Sequence, residues 1–158
     1  SFSDKNNVLA FFLDIDKNTT NLIDYFSLAS CGNALDFGDQ ATASAGGGGA
    51  CSPTRGIFGG GYTPTTFAEL SYITISSFGN SVKFGDLTSI RHSPMNGIIS
   101  NTTRGFMVGG TPHGKTVNMD KIEFSSLGNA IGFGNLNLFS FPKKMFSPTV
   151  RFGNNDCS

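Results

Sequence analysis

The sequence contains no tryptophan, and only 14% of its residues are charged. Eleven basic side chains balance eleven acidic ones, so the formal net charge is zero. The lack of surplus Lys and Arg argues against nucleic acid and an anionic membrane surface as partners, because both select for clustered positive charge. A chain near zero charge also favours association over solitary life in solution. No apolar run approaches the roughly 18 residues that a spanning helix needs, so no membrane insertion is expected. The opening segment "SFSDKNNVLAFFLDID" lacks a basic stretch before its apolar run and a small-residue cleavage site after it, so it does not read as a signal peptide. An initiator methionine is missing too, and the chain reads as a processed or partial piece of something longer. The cysteines, Cys31, Cys51 and Cys157, are odd in number and sit at no metal-ligand spacing. A secreted disulfide framework needs more of them, evenly paired. Free, buried thiols are therefore expected.

What the chain has in excess is glycine (21 residues of 158) and phenylalanine (16). Average glycine usage is about 7%, and this chain carries nearly twice that. Glycine, phenylalanine and threonine together describe short strands joined by tight turns. Three stretches repeat one another: "ASCGNALDFGDQAT" from residue 29, "SSFGNSVKFGDLTS" from 76 and "SSLGNAIGFGNLNL" from 125. Aligned on Gly32, Gly79 and Gly128, at spacings of 47 and 49, they also match at Asn33, Asn80 and Asn129. Phe37, Phe84 and Phe133 agree next, followed by Gly38, Gly85 and Gly134. Upstream, "RGIFGGG" at 55–61 matches "RGFMVGG" at 104–110, with "VLAFFLD" in that place in the first copy. A period near 48 signals a propeller, solenoid or array. Each repeat divides into about four strands, in the second copy near 44–50, 55–60, 69–76 and 81–86. The Gly–Asn pair falls where a hairpin turn belongs, and the following phenylalanine is placed to wedge one sheet onto the next.

These residues resemble the kelch repeat, the blade unit of one class of β-propellers. "IFGGG", "LSYITI", "VKFGDL" and "RHSPMNGII" run in the kelch order, although the large aromatic is phenylalanine rather than tryptophan and the first copy lacks the glycine doublet. The Phe–Gly–Asp–Leu–Thr wording looks, more narrowly, like the kelch-like repeat proteins of marine and cyanobacterial bacteriophages. The resemblance implies an all-β fold of three four-stranded blades in a single repeat domain. Repeat 1 covers about 1–40, repeat 2 about 41–89 and repeat 3 about 90–137, with closing or next-blade strands at 138–158. The first repeat is expected to begin in its second strand. Propellers have four to eight blades, so three leave the ring open unless a second copy or further chain completes it. A β-prism or β-trefoil with pseudo-threefold symmetry is the alternative.

No residue announces a chemistry. "DIDKNTTNLID" sets Asp14, Asp16 and Asn18 at alternate positions, followed by Asp24, as a calcium loop would. Thr19 stands where the turn glycine belongs, however, and Tyr25 where a glutamate should, so a hairpin loop is expected. His92, beside Arg91, occupies a place where kelch repeats brace neighbouring blades, and His113 lies in a loop. Neither has metal-ligand company. "SAGGGGACS" lacks the Lys–Ser/Thr ending of a phosphate loop and reads as a close-packed strand. The "NTT" sequons at Asn18 and Asn101 read as threonine-rich loops, and Lys143–Lys144 as a solvated turn.

The expected function is that of a non-enzymatic structural and adhesion module of a virion, such as a tail, fibre or decoration protein. Its expected partners are copies of itself and other virion or filament proteins, at a virion or extracellular location, with no cofactor and no metal. A host surface glycan is a further candidate, held by the loops after the glycine doublets at Tyr62, Thr65, His113 and Lys115. A filament subunit, a kelch-type interaction hub and a propeller glycosidase or lyase are the alternatives. An enzyme would need acids, arginines or a metal gathered from several repeats, and these loops offer few acids.

Overall fold

A computed structural model describes residues 2–3, 7–11, 20–27, 32–92, 98–110 and 117–137. Every element among the described residues is a strand, as the composition predicts. Strands β1 (Phe2–Ser3), β2 (Asn7–Phe11), β3 (Thr20–Ser27) and β4 (Leu35–Ser44) form the first sheet. The second comprises β5 (Gly48–Cys51), β6 (Arg55–Thr63), β7 (Thr65–Thr74) and β8 (Val82–Asp86). The third comprises β9 (Ile98–Ser100), β10 (Arg104–Val108), β11 (Asn118–Glu123) and β12 (Ile131–Asn135). All three are antiparallel with strands in chain order. The first sheet corrects one expectation, since β1 pairs with β2 (Phe2 opposite Leu9, Ser3 opposite Val8) and supplies a fourth strand. Two residues are too short to show a period in sequence; only pairing reveals them.

The middle sheet is buried on both sides. In β6 every residue from Gly56 to Gly61 is buried, so the strand reads as a continuous apolar and glycine run rather than an alternating one. Successive side chains of a strand point to opposite faces, and here Ile57 and Phe58 enter two different cores. Phe58 packs with Cys51, Ile73 and Ile75 against Ile23 and Phe37 of the first sheet. Ile57 packs with Leu70, Phe84 and Leu87 against Met107, Ile122 and Phe124 of the third. Small residues let β5 approach β9 and β10: a Cβ on Gly105 would lie 2.9 Å from that of Ala50. Within the glycine run at 46–49, Gly46 has φ +66°, and a Cβ on Gly47 would lie 3.2 Å from the Gly60 carbonyl oxygen of the same sheet.

Cys51 corrects a second expectation. It is buried at the core between the first two sheets and is disulfide-bonded rather than free. Its partner lies outside the described residues. Counting cysteines shows whether all can pair, not whether one pair meets in space.

Between the second and third sheets stands a buried ion pair. Arg91 Nη2 donates to Asp120 Oδ2 at 3.0 Å, with both side chains essentially inaccessible. Arg91 also donates to Ser89 Oγ and to the carbonyls of Gly109 and Asn118 at 3.1–3.4 Å. Asp120 in turn accepts from the backbone and hydroxyl of Thr88 at 2.9 and 2.7 Å. The glycine doublet admits this strut: a Cβ on Gly60 would lie 2.8 Å from the Arg91 carbonyl oxygen, which accepts from Gly61 N at the same distance.

Candidate functional site

The residues singled out in sequence fall in two places. The first is the tip of the β6–β7 hairpin, where Tyr62 opposes Thr66 and Thr63 opposes Thr65 around Pro64. Tyr62 is about half exposed and Thr65 is exposed. The backbone of Tyr62 is bridged to Ala45 in both directions, at 2.9 and 3.1 Å. His92 shares a hydrogen bond of 2.9 Å between its Nδ1 and Thr66 Oγ1, and its ring stands edge-on to Tyr62 at 6.0 Å. His92 thus props the tip of the hairpin, while Arg91 beside it braces the sheets. His113 and Lys115 lie outside the described residues, as do Asp14, Asp16, Asn18 and the lysines at 143–144. Asp24 and Tyr25 lie in β3, where Tyr25 packs on Phe37 and Phe78. Among the described residues no three His, Cys, Asp or Glu side chains are placed to hold a metal.

The second place is the seam between repeats, and here the Gly–Asn pair does more than turn the chain. The connection between β7 and β8 is a loop over 75–81, longer than a tight hairpin turn, and it reaches back onto the preceding repeat. Gly79 N donates to Phe37 O at 2.9 Å, and Ser81 N to Asp39 O at 2.8 Å. The Asn80 side chain accepts from Asp39 N at 3.0 Å. The next seam repeats this pattern. Gly128 N donates to Phe84 O at 3.0 Å, Ala130 N to Asp86 O at 2.8 Å, and Asn129 accepts from Asp86 N at 3.0 Å.

The last strand of each sheet is built to receive this corner. In β4, β8 and β12 the pairing register slips at the repeated phenylalanine, leaving Phe37, Phe84 and Phe133 unpaired in their ladders. Such a bulge turns backbone groups away from the sheet, and in the two filled cases the freed carbonyl takes the glycine N–H. The glycine that follows admits the neighbour's backbone. A Cβ on Gly38 would lie 2.5 Å from the carbonyl of Gly79, and one on Gly85 would overlap Gly128 O. Gly85→Ala is therefore expected to cost about 1–3 kcal/mol, as overpacking does. Gly132→Ala, whose Cβ would enter open space, should stay within about 0.5 kcal/mol. Urea unfolding midpoints at unchanged slope measure both.

Among the described residues, both ends of the array carry the same parts without an occupant. β12 has the bulge, and Gly134 has φ +153° where Gly38 has +149°. Yet Phe133 is 59% exposed, against 5% for Phe37 and 4% for Phe84. Leu136 is likewise exposed where its counterpart Leu87 is buried. At the other end Gly32 (φ +158°) and Asn33 are exposed, and no hydrogen bond holds them among the described residues.

The arginines among the described residues have structural partners. Arg55 Nη1 donates to Phe124 O of the third sheet at 2.6 Å, and its guanidinium lies 5.1 Å from the centre of the Tyr72 ring. Arg104, its repeat counterpart, pairs instead with Glu123 of its own sheet at 2.9 Å. Burial alone would raise the Glu123 carboxyl. Hydrogen bonds from Lys121 and Arg104, with their charges, hold it below the usual carboxylate range. That contribution is present above the ordinary carboxylate range and lost as pH falls through the depressed value, and exposure keeps it small. Asn101 caps its turn by accepting from Thr103 N and Arg104 N, as Ser52 does for Thr54 N and Arg55 N.

No protein-family model matches the chain, and no curated protein matches it either.

Proposed function

We propose that this chain is a non-enzymatic structural and adhesion module of a virion, built of propeller-type blades and acting by assembly with its own copies. The observation that carries this reading is the seam, a backbone clasp made twice within the chain and offered again at the last described strand, with no occupant among the described residues. An exposed sheet edge pairs with other chains unless it is protected, and here the edge carries the receptor for a repeated corner. Two separate cores on the two faces of the middle sheet support blades stacked face on face. A prism or trefoil would gather its sheets around one shared core. The disulfide at Cys51 suits an oxidising setting such as a particle or the cell exterior. The half-exposed Tyr62 among hydroxyl side chains suits weak surface binding to a glycan. The virion itself comes from the resemblance to phage repeat proteins.

Light scattering of the purified chain, with electron microscopy of its native source, tests this reading. Rings, fibres or particle-bound copies are expected. A monomer at every concentration that captures one cellular protein would instead identify an interaction hub.

A further inference from the structure

We infer that copies of this chain join head to tail, with the Gly32–Asn33 corner of one copy seated on the Phe133–Gly134–Asn135 strand of the next. This deepens the assembly reading above and rests on it. Its template is already present twice, in the seating of Gly79–Asn80 on Phe37–Gly38–Asp39 and of Gly128–Asn129 on Phe84–Gly85–Asp86. By the same pattern, Gly32 N of the incoming copy donates to Phe133 O, and Asn33 accepts from Asn135 N. Among the described residues, a Cβ on Gly134 would meet nothing closer than the Met119 methyl at 3.6 Å, which leaves its face open to a neighbour's backbone. Phe133 and Leu136 would be covered as Phe84 and Leu87 are.

The occupant follows from what remains unseated. Among the described residues the chain shows three Gly–Asn corners of this kind; two are engaged, and the third belongs to its own first repeat. The tail offers another such pair, Gly153–Asn154, by sequence. In both observed seams, however, a whole repeat separates receptor from corner, 42 residues from Phe37 to Gly79 and 44 from Phe84 to Gly128. From Phe133 to Gly153 there are only 20, too few for another four-stranded sheet. A second copy brings the unseated Gly32–Asn33 corner with a complete four-stranded sheet behind it, as in the two observed seams.

A heterologous contact of this kind closes into a ring or runs on as a filament, and its two halves can be disabled separately. Asn33→Ala removes the corner's acceptor, and Gly134→Ala blocks the strand; both residues are exposed in the single chain, and circular dichroism checks their folding. Sedimentation of the wild type should show assemblies. Each variant alone should weaken self-association by about tenfold or more, as the loss of a buried hydrogen bond or a backbone clash predicts. Mixed in equal amounts, the two variants should stop at a dimer, since one retains an intact strand and the other an intact corner. Wild-type assembly that neither variant disturbs would overturn this pairing and leave the assembly reading standing. A wild type that stays monomeric would sink both. If Asn154→Ala is the variant that converts a monomer into assemblies, the tail fills the strand, and the pairing proposed here is wrong.

Discussion

Replacing Asp120 with alanine is expected to destabilise the protein by about 3–5 kcal/mol, because it leaves Arg91 buried with no counter-charge. The fully buried pair joins the segment after β8 to β11, and Thr88 depends on the same carboxylate through its backbone and its hydroxyl. A domain holds only about 5–15 kcal/mol in total, so this single change approaches the limit of folding. Asp120→Asn, which keeps an acceptor for Thr88, is the milder variant to measure if the alanine form does not fold. The double change Arg91→Met with Asp120→Leu should recover at least half of the loss. It removes both buried charges and also the Arg91 Nε, which finds no acceptor among the described residues. Full recovery is not expected, since Thr88 and the carbonyls of Gly109 and Asn118 lose partners worth about 1 kcal/mol each. A double-mutant cycle in urea decides the matter. If the double variant is as unstable as the two single losses added together, the pair is not what couples these sheets.

Phe84→Ala should cost about 3–5 kcal/mol, the range for emptying a large aromatic from a core. Phe133→Ala, at the matching place one repeat later, should change the stability of the single chain by no more than about 0.5 kcal/mol. The two phenylalanines sit in the same local wording and the same bulge; one is covered by the third sheet and the other meets Phe106 and solvent. Thermal unfolding at low protein concentration separates them. An equal loss at both positions would mean that Phe133 is already covered, which would remove the open end on which the assembly reading depends.

The partners of the repeated residues were harder to read than the repeat. Arg91 stands at a place where the kelch resemblance implies a brace between neighbours, but nothing marks Asp120 as its partner. The aligned positions in the other repeats are Asp24 and Ser71, so the carboxylate is not a constant of the repeat. The Gly–Asn pair reads locally as a turn because every corner needs one. Its docking role appears only as a fixed lag of 42 to 44 residues between "FGD" and "GN", a signal visible once the seam is known. The bond at Cys51 was hidden for the same reason, since an odd count of thiols says nothing of which two approach.

The sequence by itself determined that the fold is all-β and that one four-stranded unit recurs three times among the described residues. Strand propensity, glycine punctuation and periodicity are properties of neighbouring residues, and these suffice for such conclusions. Only the tertiary structure decided which copies of a shared motif are covered and which are left open. Phe84 and Phe133 have the same local chemistry, and their burial depends on whether another sheet lies against them. That is set by packing between segments dozens of residues apart, which no local stretch of sequence contains.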